Sequence, residues 1–131
     1  MPHRDRVRLV NVDYEREMAM VVVRRLNGRE ELLGVGRYFV DEETRIAELA
    51  FTVRDDWQDR GIGSLLMAKL LEIAKERDLS GVEAHTQADN HRMIAILMRF
   101  GFAAVGQDPS DNTTHWRLML RQQPPGSASN A

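Results

Sequence analysis

The first half of the chain carries its apolar residues in short, β-branched runs that are separated by turn sequences. Residues 18–25 and 32–40 are rich in valine, leucine and aromatic side chains, which is typical of β-strands. Between them lies Asn27-Gly28, the dipeptide that most strongly indicates a tight hairpin turn. A second polar turn precedes residues 46–53, which again have strand composition. The pattern predicts a three-stranded antiparallel meander.

In the second half the period of the apolar positions becomes helical. Apolar residues recur every three or four positions from Ile62 to about Arg77, which predicts an amphipathic helix. Residues 82–87 have strand composition, and Asn90 opens a second helix that extends to Phe100. Two final strands are predicted at residues 102–105 and 116–120. The fold class is therefore α/β, with a mixed, mostly antiparallel sheet: three strands, helix, strand, helix and two strands.

Length and composition favour one globular domain. The 131 residues are 43% hydrophobic and 29% charged, so residues 1–121 can form a single core, and the polar residues 122–131 are expected to form a flexible tail. The net charge of −2 offers no basic field for nucleic acid. No stretch approaches the roughly 18 apolar residues of a membrane span, so no membrane partner is expected and the expected location is cytoplasmic.

The side chains available for chemistry are limited. There is no cysteine, which excludes disulfides, thiolate metal sites and catalysis through a covalent thioester on the protein. The four histidines are scattered, without carboxylates at the spacing of metal ligands, so no metal site is predicted.

The junction between the third strand and the first helix has the features of a phosphate-binding turn. Gly61 and Gly63 carry no Cβ that would keep anionic oxygens away, and the first-turn amides of the helix lack intrahelical acceptors. Arg60 adds a cation. A Walker lysine and the third glycine of a dinucleotide fingerprint are both missing, which excludes those two classes of nucleotide site. The alternative is that the glycines only allow close packing.

Two segments resemble motifs of the GNAT acyltransferases. Residues 58–63 (QDRGIG) resemble the Gln/Arg-x-x-Gly-x-Gly/Ala signature, between a strand and a helix as in that family. Residues 90–102 resemble the second motif of the family, with an asparagine at the start of a helix and Gly-Phe at its end. Residues 12–19 and 47–51 are most similar to the GNAT domain of bacterial protein lysine acetyltransferases. The resemblance covers nearly all of residues 9–121.

The resemblance implies acetyl-CoA as co-substrate. Main-chain groups of Phe51, Thr52 and Val53 would contact the pantetheine arm, and Asn90 would approach it from the second helix. The residues implied to surround the pyrophosphate are Gln58, Asp59, Arg60, Gly61, Ile62, Gly63 and Ser64. Because three aspartates in and before this turn would repel phosphate, we expect Asp55, Asp56 and Asp59 to point away from it or to recruit a basic acceptor.

The implied reaction is direct transfer of an acetyl group to a primary amine, of a protein lysine or of a small molecule. Glu48 is the candidate general base, since strand alternation places it with apolar neighbours and we expect it to be desolvated. The alternative for Glu48 is an ion pair with Arg37.

The chain departs from the family pattern at two points. Many members carry a tyrosine acid seven residues after the motif asparagine, where this chain has Leu97. The strand and two helices that usually precede the meander are missing from the pattern, so we expect that either the acceptor site is open or a second copy or a partner domain completes it. Two other functions stay open: an acyl-CoA-binding sensor or pseudoenzyme without turnover, and a structural module without a ligand.

Overall fold

The computed structural model describes residues 12–13 and 16–120. The predicted tail, 122–131, lies outside the described residues. The elements along the chain are β1 (Val12–Asp13), β2 (Glu17–Leu26), β3 (Arg29–Asp41), β4 (Ile46–Val53), a 3-10 helix (Asp55–Trp57), α1 (Ile62–Glu76), β5 (Gly81–Gln87), α2 (His91–Arg99), β6 (Ala103–Asp108) and β7 (Thr113–Met119). They confirm the predicted α/β class and the predicted order of strands and helices. The two-residue β1 is an addition, too short to leave a periodic signal in the sequence.

The seven described strands form one sheet in the order β1-β2-β3-β4-β5-β7-β6. The hairpin between β2 and β3 turns at Asn27 and Gly28, whose φ angles are 53° and 77°. Two successive positive φ angles are what a type I′ turn requires, which is why Asn-Gly marks this position in the sequence. The predicted meander β2-β3-β4 is therefore confirmed.

Among the strands that the structure describes, only β4 and β5 pair in parallel, and they do so for about half their length. Their register runs from Ile46 opposite Gly81 to Leu49 opposite Ala84 and stops there. Beyond this point β4 continues to Val53 on the β3 side, while β5 continues in register with β7. The two strands thus part after Leu49 and Ala84 and leave a wedge-shaped gap between them.

Helix α1 packs closely against one face of the sheet because two glycines of β3 make room for it. A Cβ at Gly34 would lie 2.9 Å from Ile62 Cγ2, and one at Gly36 would lie 3.1 Å from Leu70 Cδ1. The buried face of α1 also includes Leu66, which is fully inaccessible to solvent. Burying one such side chain contributes about 1.5–3 kcal/mol. The amphipathic pattern that predicted α1 therefore reflects its position over β3 and β4.

The opposite face of the sheet is open around β3, β4 and β5. Arg37 and Phe39 of β3, Glu48 of β4 and His85 of β5 are all exposed there. No helix within residues 12–13 and 16–120 is long and apolar enough to cross a membrane.

Candidate active site

The main chain of β4 presents unpaired groups to the gap. Arg54 N–H donates to Leu33 O at 2.8 Å, so the peptide groups of Arg54 point towards β3. Successive residues of a strand direct their peptide groups to opposite sides, so Thr52 also points towards β3, whereas Phe51 and Val53 point towards the gap. The Val53 carbonyl accepts a hydrogen bond from Gln58 Nε2 at 2.9 Å, which agrees with this assignment. The gap is therefore bordered by donors and acceptors of Phe51 and Val53.

The turn before α1 leaves the start of this helix open. Gly61 has a φ of 85° and caps the helix without a side-chain hydrogen bond. Leu65 N–H donates to Gly61 O at 2.9 Å, so the amides of residues 62–64 precede the first intrahelical bond. A Cβ at Gly61 would meet no atom within 4 Å. Free amides, the positive helix end and open space together suit an anion.

Gly63 has a packing role in addition to its place at the turn. A Cβ there would lie 2.8 Å from Ile96 Cδ1 of α2. At this distance the end of the Ile96 side chain would have to move, so the missing Cβ lets Ile96 pack directly on the first turn of α1. The alternative reading of the glycines, close packing, thus applies to Gly63 and not to Gly61.

A cavity of about 330 Å³ joins the gap to the turn. Its lining comes from the end of β4, the segment before α1, the first turn of α1 and one side of α2. The lining residues are Phe51, Val53, Trp57, Gln58, Asp59, Gly61, Ile62, Gly63, Ser64, Asn90, Arg92, Met93, Ala95, Ile96 and Arg99. Nine of the eleven residues predicted to bind the cofactor lie among them.

Thr52 and Arg60 are the two predicted residues that do not line the cavity. The peptide groups of Thr52 belong to the β3–β4 ladder, and its exposed side chain lies on the opposite face of the sheet. The Arg60 guanidinium lies over the Trp57 ring, 4.7 Å from its centroid. The contacts predicted for these two residues stay predictions. Trp57, buried beneath that arginine, lines the cavity instead.

Two arginines of α2 supply the positive charge that the sequence reasoning assigned to Arg60. Arg92 and Arg99 lie seven residues apart and therefore on one side of the helix, facing the turn. Arg92 Nε lies 3.0 Å from Asp59 Oδ2, and Arg99 Nη1 donates to Ser64 Oγ at 3.3 Å. The seven-residue spacing of the two arginines indicates from the sequence that they share one side of α2. Only the packing of α2 on α1 shows that this side faces the turn.

The acidic residues near the turn are each paired or turned away. Asp59 lines the cavity, and its charge is offset by Arg92. Asp56 accepts two hydrogen bonds of 2.6 Å from Arg54, and these bonds lower the pKa of the Asp56 carboxyl. The expectation that all three aspartates point away agrees with Asp55 and Asp56, which do not line the cavity, and is wrong for Asp59, which does.

Asn90 starts α2 and faces the same cavity. Its side chain accepts a hydrogen bond from Met93 N at 3.2 Å, so it caps the helix. Leu97, at the position where many GNAT members carry a tyrosine, is fully buried in the core.

Glu48 lies on the open face of the sheet, so the expectation that it is desolvated is wrong. Its side chain is 61% exposed, because α1 covers the other face of β4. In the β3–β4 register Arg37 lies opposite Ala50 and not opposite Glu48. The ion-pair partner of Glu48 is His85, whose Nδ1 lies 3.3 Å from Glu48 Oε2. The ion pair proposed with Arg37 is therefore also wrong.

A network of charged side chains continues from His85 across β7. His85 stacks on His115, with ring centroids 4.4 Å apart and planes 11° from parallel. His115 Nε2 lies 3.0 Å from Glu83 Oε1, and Arg117 Nη2 lies 2.7 Å from Glu83 Oε2. Burial raises the pKa of Glu83, but the hydrogen bonds of Arg117 and His115 outweigh it and hold this pKa below its ordinary value.

No group of three His, Asp or Glu side chains within residues 16–120 is arranged to hold a metal ion. A second cavity, of about 440 Å³, lies on the open face. Its lining includes Phe39, Glu48, Glu83 and Arg117.

The gap between β4 and β5 and the open start of α1 together form a site for a long ligand that ends in an anionic group. Comparison with known sequences shows which family has this arrangement. The sequence model of the acetyltransferase (GNAT) family matches residues 2–102, so the chain belongs to the GNAT family. The predicted family and fold are thereby confirmed.

Three similar proteins illustrate the relationship. Acetyltransferase PA5475 of Pseudomonas aeruginosa is 32% identical over 106 residues, which are 80% of this chain and 56% of that protein. Acetyltransferase Pat of Mycolicibacterium smegmatis is 43% identical over 63 residues, 48% of this chain and 19% of Pat. The solved structure of a cAMP-binding acyltransferase from Mycobacterium smegmatis superimposes with a TM-score of 0.68 at 28% identity, covering 85% of this chain and 33% of that one. This chain thus spans little more than half of PA5475 and about a fifth of Pat.

Proposed function

We propose that this chain transfers an acetyl group from acetyl-CoA directly to a primary amine. The observation that carries the proposal is the continuity of one cavity from the free peptide groups of Phe51 and Val53 to the open start of α1. An amide-containing arm fits the first part, and a diphosphate fits the second. Membership of the GNAT family supports this assignment of the two ends.

The binding end of the cavity matches the charge of the co-substrate. The amides of residues 62–64 and the helix dipole, equivalent to roughly +0.5 charge, favour the pyrophosphate. Arg92 and Arg99 add two cations from α2, against one carboxylate from Asp59. Gln58 is a donor to β4 and fixes the turn against Val53. The other residues assigned to binding are Phe51, Gly61, Ile62, Gly63, Ser64 and Asn90.

The reacting end lies where β4 and β5 meet. An arm that enters between the strands reaches its limit at Leu49 and Ala84, the last pair in register. Glu48 precedes Leu49, and strand geometry places it roughly 10 Å from Phe51, three residues along. This separation leaves room for the thioester beside the Phe51 amide, which is the donor to the developing oxyanion, and for the amine and one bridging water between the thioester and Glu48, the general base.

The chemistry requires one proton acceptor and one departing thiolate. Glu48 takes a proton from the ammonium group, and the amine nitrogen attacks the thioester carbon. The C–N bond forms, the C–S bond breaks, and the second amine proton passes to water as the amide forms. Because Leu97 is buried and apolar, the thiolate takes its proton from water, which a thiol with a pKa near ~8.5 allows.

The open face suits an acceptor amine on a protein lysine. Glu48 is exposed beside a cavity of about 440 Å³, and Phe39, 55% exposed, borders it. A flat, accessible surface can receive a side chain that projects from another protein. A small-molecule amine is the alternative acceptor, and a second copy or a partner domain would enclose it on this face.

One observation favours a second function, a sensor that binds acyl-CoA without turnover. The position of the usual acid is a buried leucine, so the departing thiolate has no side-chain donor there. Such a sensor would keep the Gly61 turn and lose only the chemistry.

Two measurements on the purified chain separate these functions. Calorimetric titration with acetyl-CoA measures binding, and a thiol-release assay with lysine peptides, free lysine and polyamines measures transfer. We expect saturable binding and amine-dependent thiol release. Binding without release for every amine would support the sensor, and absence of binding would overturn both functions.

A further inference from the structure

The place where β4 and β5 part brings a second titratable side chain next to the candidate base. The last pair in register is Leu49 with Ala84, and His85 is the next residue on β5. Glu48 and His85 therefore flank the narrow end of the gap, one on each strand. Both side chains lie on the open face of the sheet, and Nδ1 of His85 is 3.3 Å from Glu48 Oε2.

The ring of His85 is held from behind. It stacks on His115 of the neighbouring strand β7, to which β5 pairs directly at this position. His115 is in turn within 3.0 Å of Glu83, which Arg117 also contacts. The stack fixes the plane of the His85 ring, so Nδ1 stays directed at Glu48 while the rest of the ring, 46% exposed as a side chain, reaches solvent.

We propose that His85 is a positioning residue for Glu48 in the acyl transfer described above, on which this role rests. It directs Nδ1–H at Glu48 Oε2 and thereby holds the carboxylate at the narrow end of the gap. A Glu48 that is 61% exposed has no burial to fix its rotamer, so a polar partner 3.3 Å from its oxygen is what keeps it in place.

The proton balance of this step is closed. One proton passes from the ammonium group to Glu48 and from Glu48 to water, while Nδ1–H of His85 stays on the ring and keeps the carboxylate in position. Glu48 is then a carboxylate again, ready for the next amine. No oxidant, reductant or further reactant is needed.

The charged groups around His85 come from four strands. Glu48 of β4 faces it directly, and Arg37 of β3 shares the same open face. On the other side lie His115 and Arg117 of β7. Glu83, on the strand of His85 itself, is neutralised by its contacts to β7. The carboxylate nearest to the imidazole is therefore that of Glu48.

The kinetic experiment compares His85→Ala with a matched control, Gln87→Ala. Gln87 is exposed on the same strand, two residues further and on the same face, and contributes to neither cavity. We expect His85→Ala to lower kcat about ten-fold or more, a share of the 10²–10⁴ typical of general base catalysis, with an unchanged KM for acetyl-CoA. Imidazole added to the buffer should accelerate His85→Ala and leave wild type unaffected. Gln87→Ala should retain the wild-type rate.

A measurement that needs no turnover tests the contact itself. In protein labelled with ¹⁵N-histidine, the Nδ1 resonance of His85 should move on Glu48→Ala, while the ring resonances of exposed His91 should not. An unmoved His85 resonance would overturn the pairing. A moved resonance with an unchanged kcat in His85→Ala would overturn the catalytic role. Absence of turnover in the wild type, with the resonance shift present, would overturn the proposed function and leave the contact standing.

Discussion

A glutamate at Gly61 should weaken acetyl-CoA binding about 100-fold without unfolding the protein. Gly61 has a φ of 85°, and a Cβ there meets nothing within 4 Å, so the cost of the substitution is backbone strain of roughly 1–2 kcal/mol. A carboxylate at the start of α1 recovers about 0.3–1 kcal/mol from the helix dipole. The expected loss of stability is therefore small.

The same carboxylate would oppose the bound pyrophosphate. At about 5 Å and an effective dielectric constant of about 20, one pair of like charges costs about 3 kcal/mol, which is roughly 100-fold in Kd. Gly28→Glu is a matched control, because Gly28 has a φ of 77° with no atom within 4 Å of its Cβ, and it lies in the β2–β3 turn outside the cavity. It introduces the same charge and a similar strain elsewhere.

Calorimetric titration measures both variants, with thermal unfolding as the check on the fold. We expect Gly28→Glu to bind acetyl-CoA like wild type and Gly61→Glu to bind about 100-fold more weakly. If folded Gly61→Glu bound as tightly as Gly28→Glu, the pyrophosphate would not lie at this turn, and the charge argument would be refuted.

Three further substitutions probe packing, catalysis and charge. Gly63→Ala should destabilise the fold by about 0.5–1.5 kcal/mol, the cost of displacing the Ile96 side chain whose Cδ1 lies 2.8 Å from the added Cβ, and Ile96→Val should relieve that cost in the double mutant measured by urea unfolding. Glu48→Gln should keep the Kd for acetyl-CoA and lower kcat by about 10²-fold or more in the thiol-release assay. The depressed pKa of Glu83 contributes stability above the ordinary glutamate pKa, which is lost as the pH falls through the folded value. The stability difference between wild type and Glu83→Gln should therefore shrink between pH 6 and about pH 3 in urea unfolding.

Each of these has a result that would contradict it. Equal stability of Gly63→Ala with and without the valine at position 96 would show that the two helices do not meet as described. An unaltered kcat in Glu48→Gln would remove Glu48 from the mechanism. A stability difference that stays constant from pH 6 to pH 3 would mean that the bonds from Arg117 do not depend on the charge of Glu83.

The ends of an element with a strong hydrophobic period were predicted more accurately from the sequence than the ends of an exposed element. Helix α1 was expected from Ile62 to about Arg77 and ends at Glu76, because its apolar stripe meets the buried face of the sheet. Strand β6 was expected at residues 102–105 and occupies 103–108. All six of its residues are exposed, so no alternation marks its ends.

The candidate site was predictable where it is local and not where it depends on packing. The turn at Gly61 follows from neighbouring residues, and the structure places it in the cavity. The arginines of α2 reach the same cavity only because α2 packs on α1. For Glu48, the alternation of side chains along β4 defined two faces but did not show which of them α1 covers. In the structure, Glu48 lies on the face that α1 does not cover.

The proposed binding mode places acetyl-CoA in the gap between β4 and β5, with its pyrophosphate at the start of α1. Titration of ¹⁵N-labelled protein with acetyl-CoA, followed through the backbone amides, tests it most directly. We expect large, saturable chemical-shift changes for the amides of Phe51, Val53 and Gly63. The change for Thr52 should be small, because its N–H is directed at β3. Saturable binding that leaves the amides of Phe51, Val53 and Gly63 unmoved would contradict it.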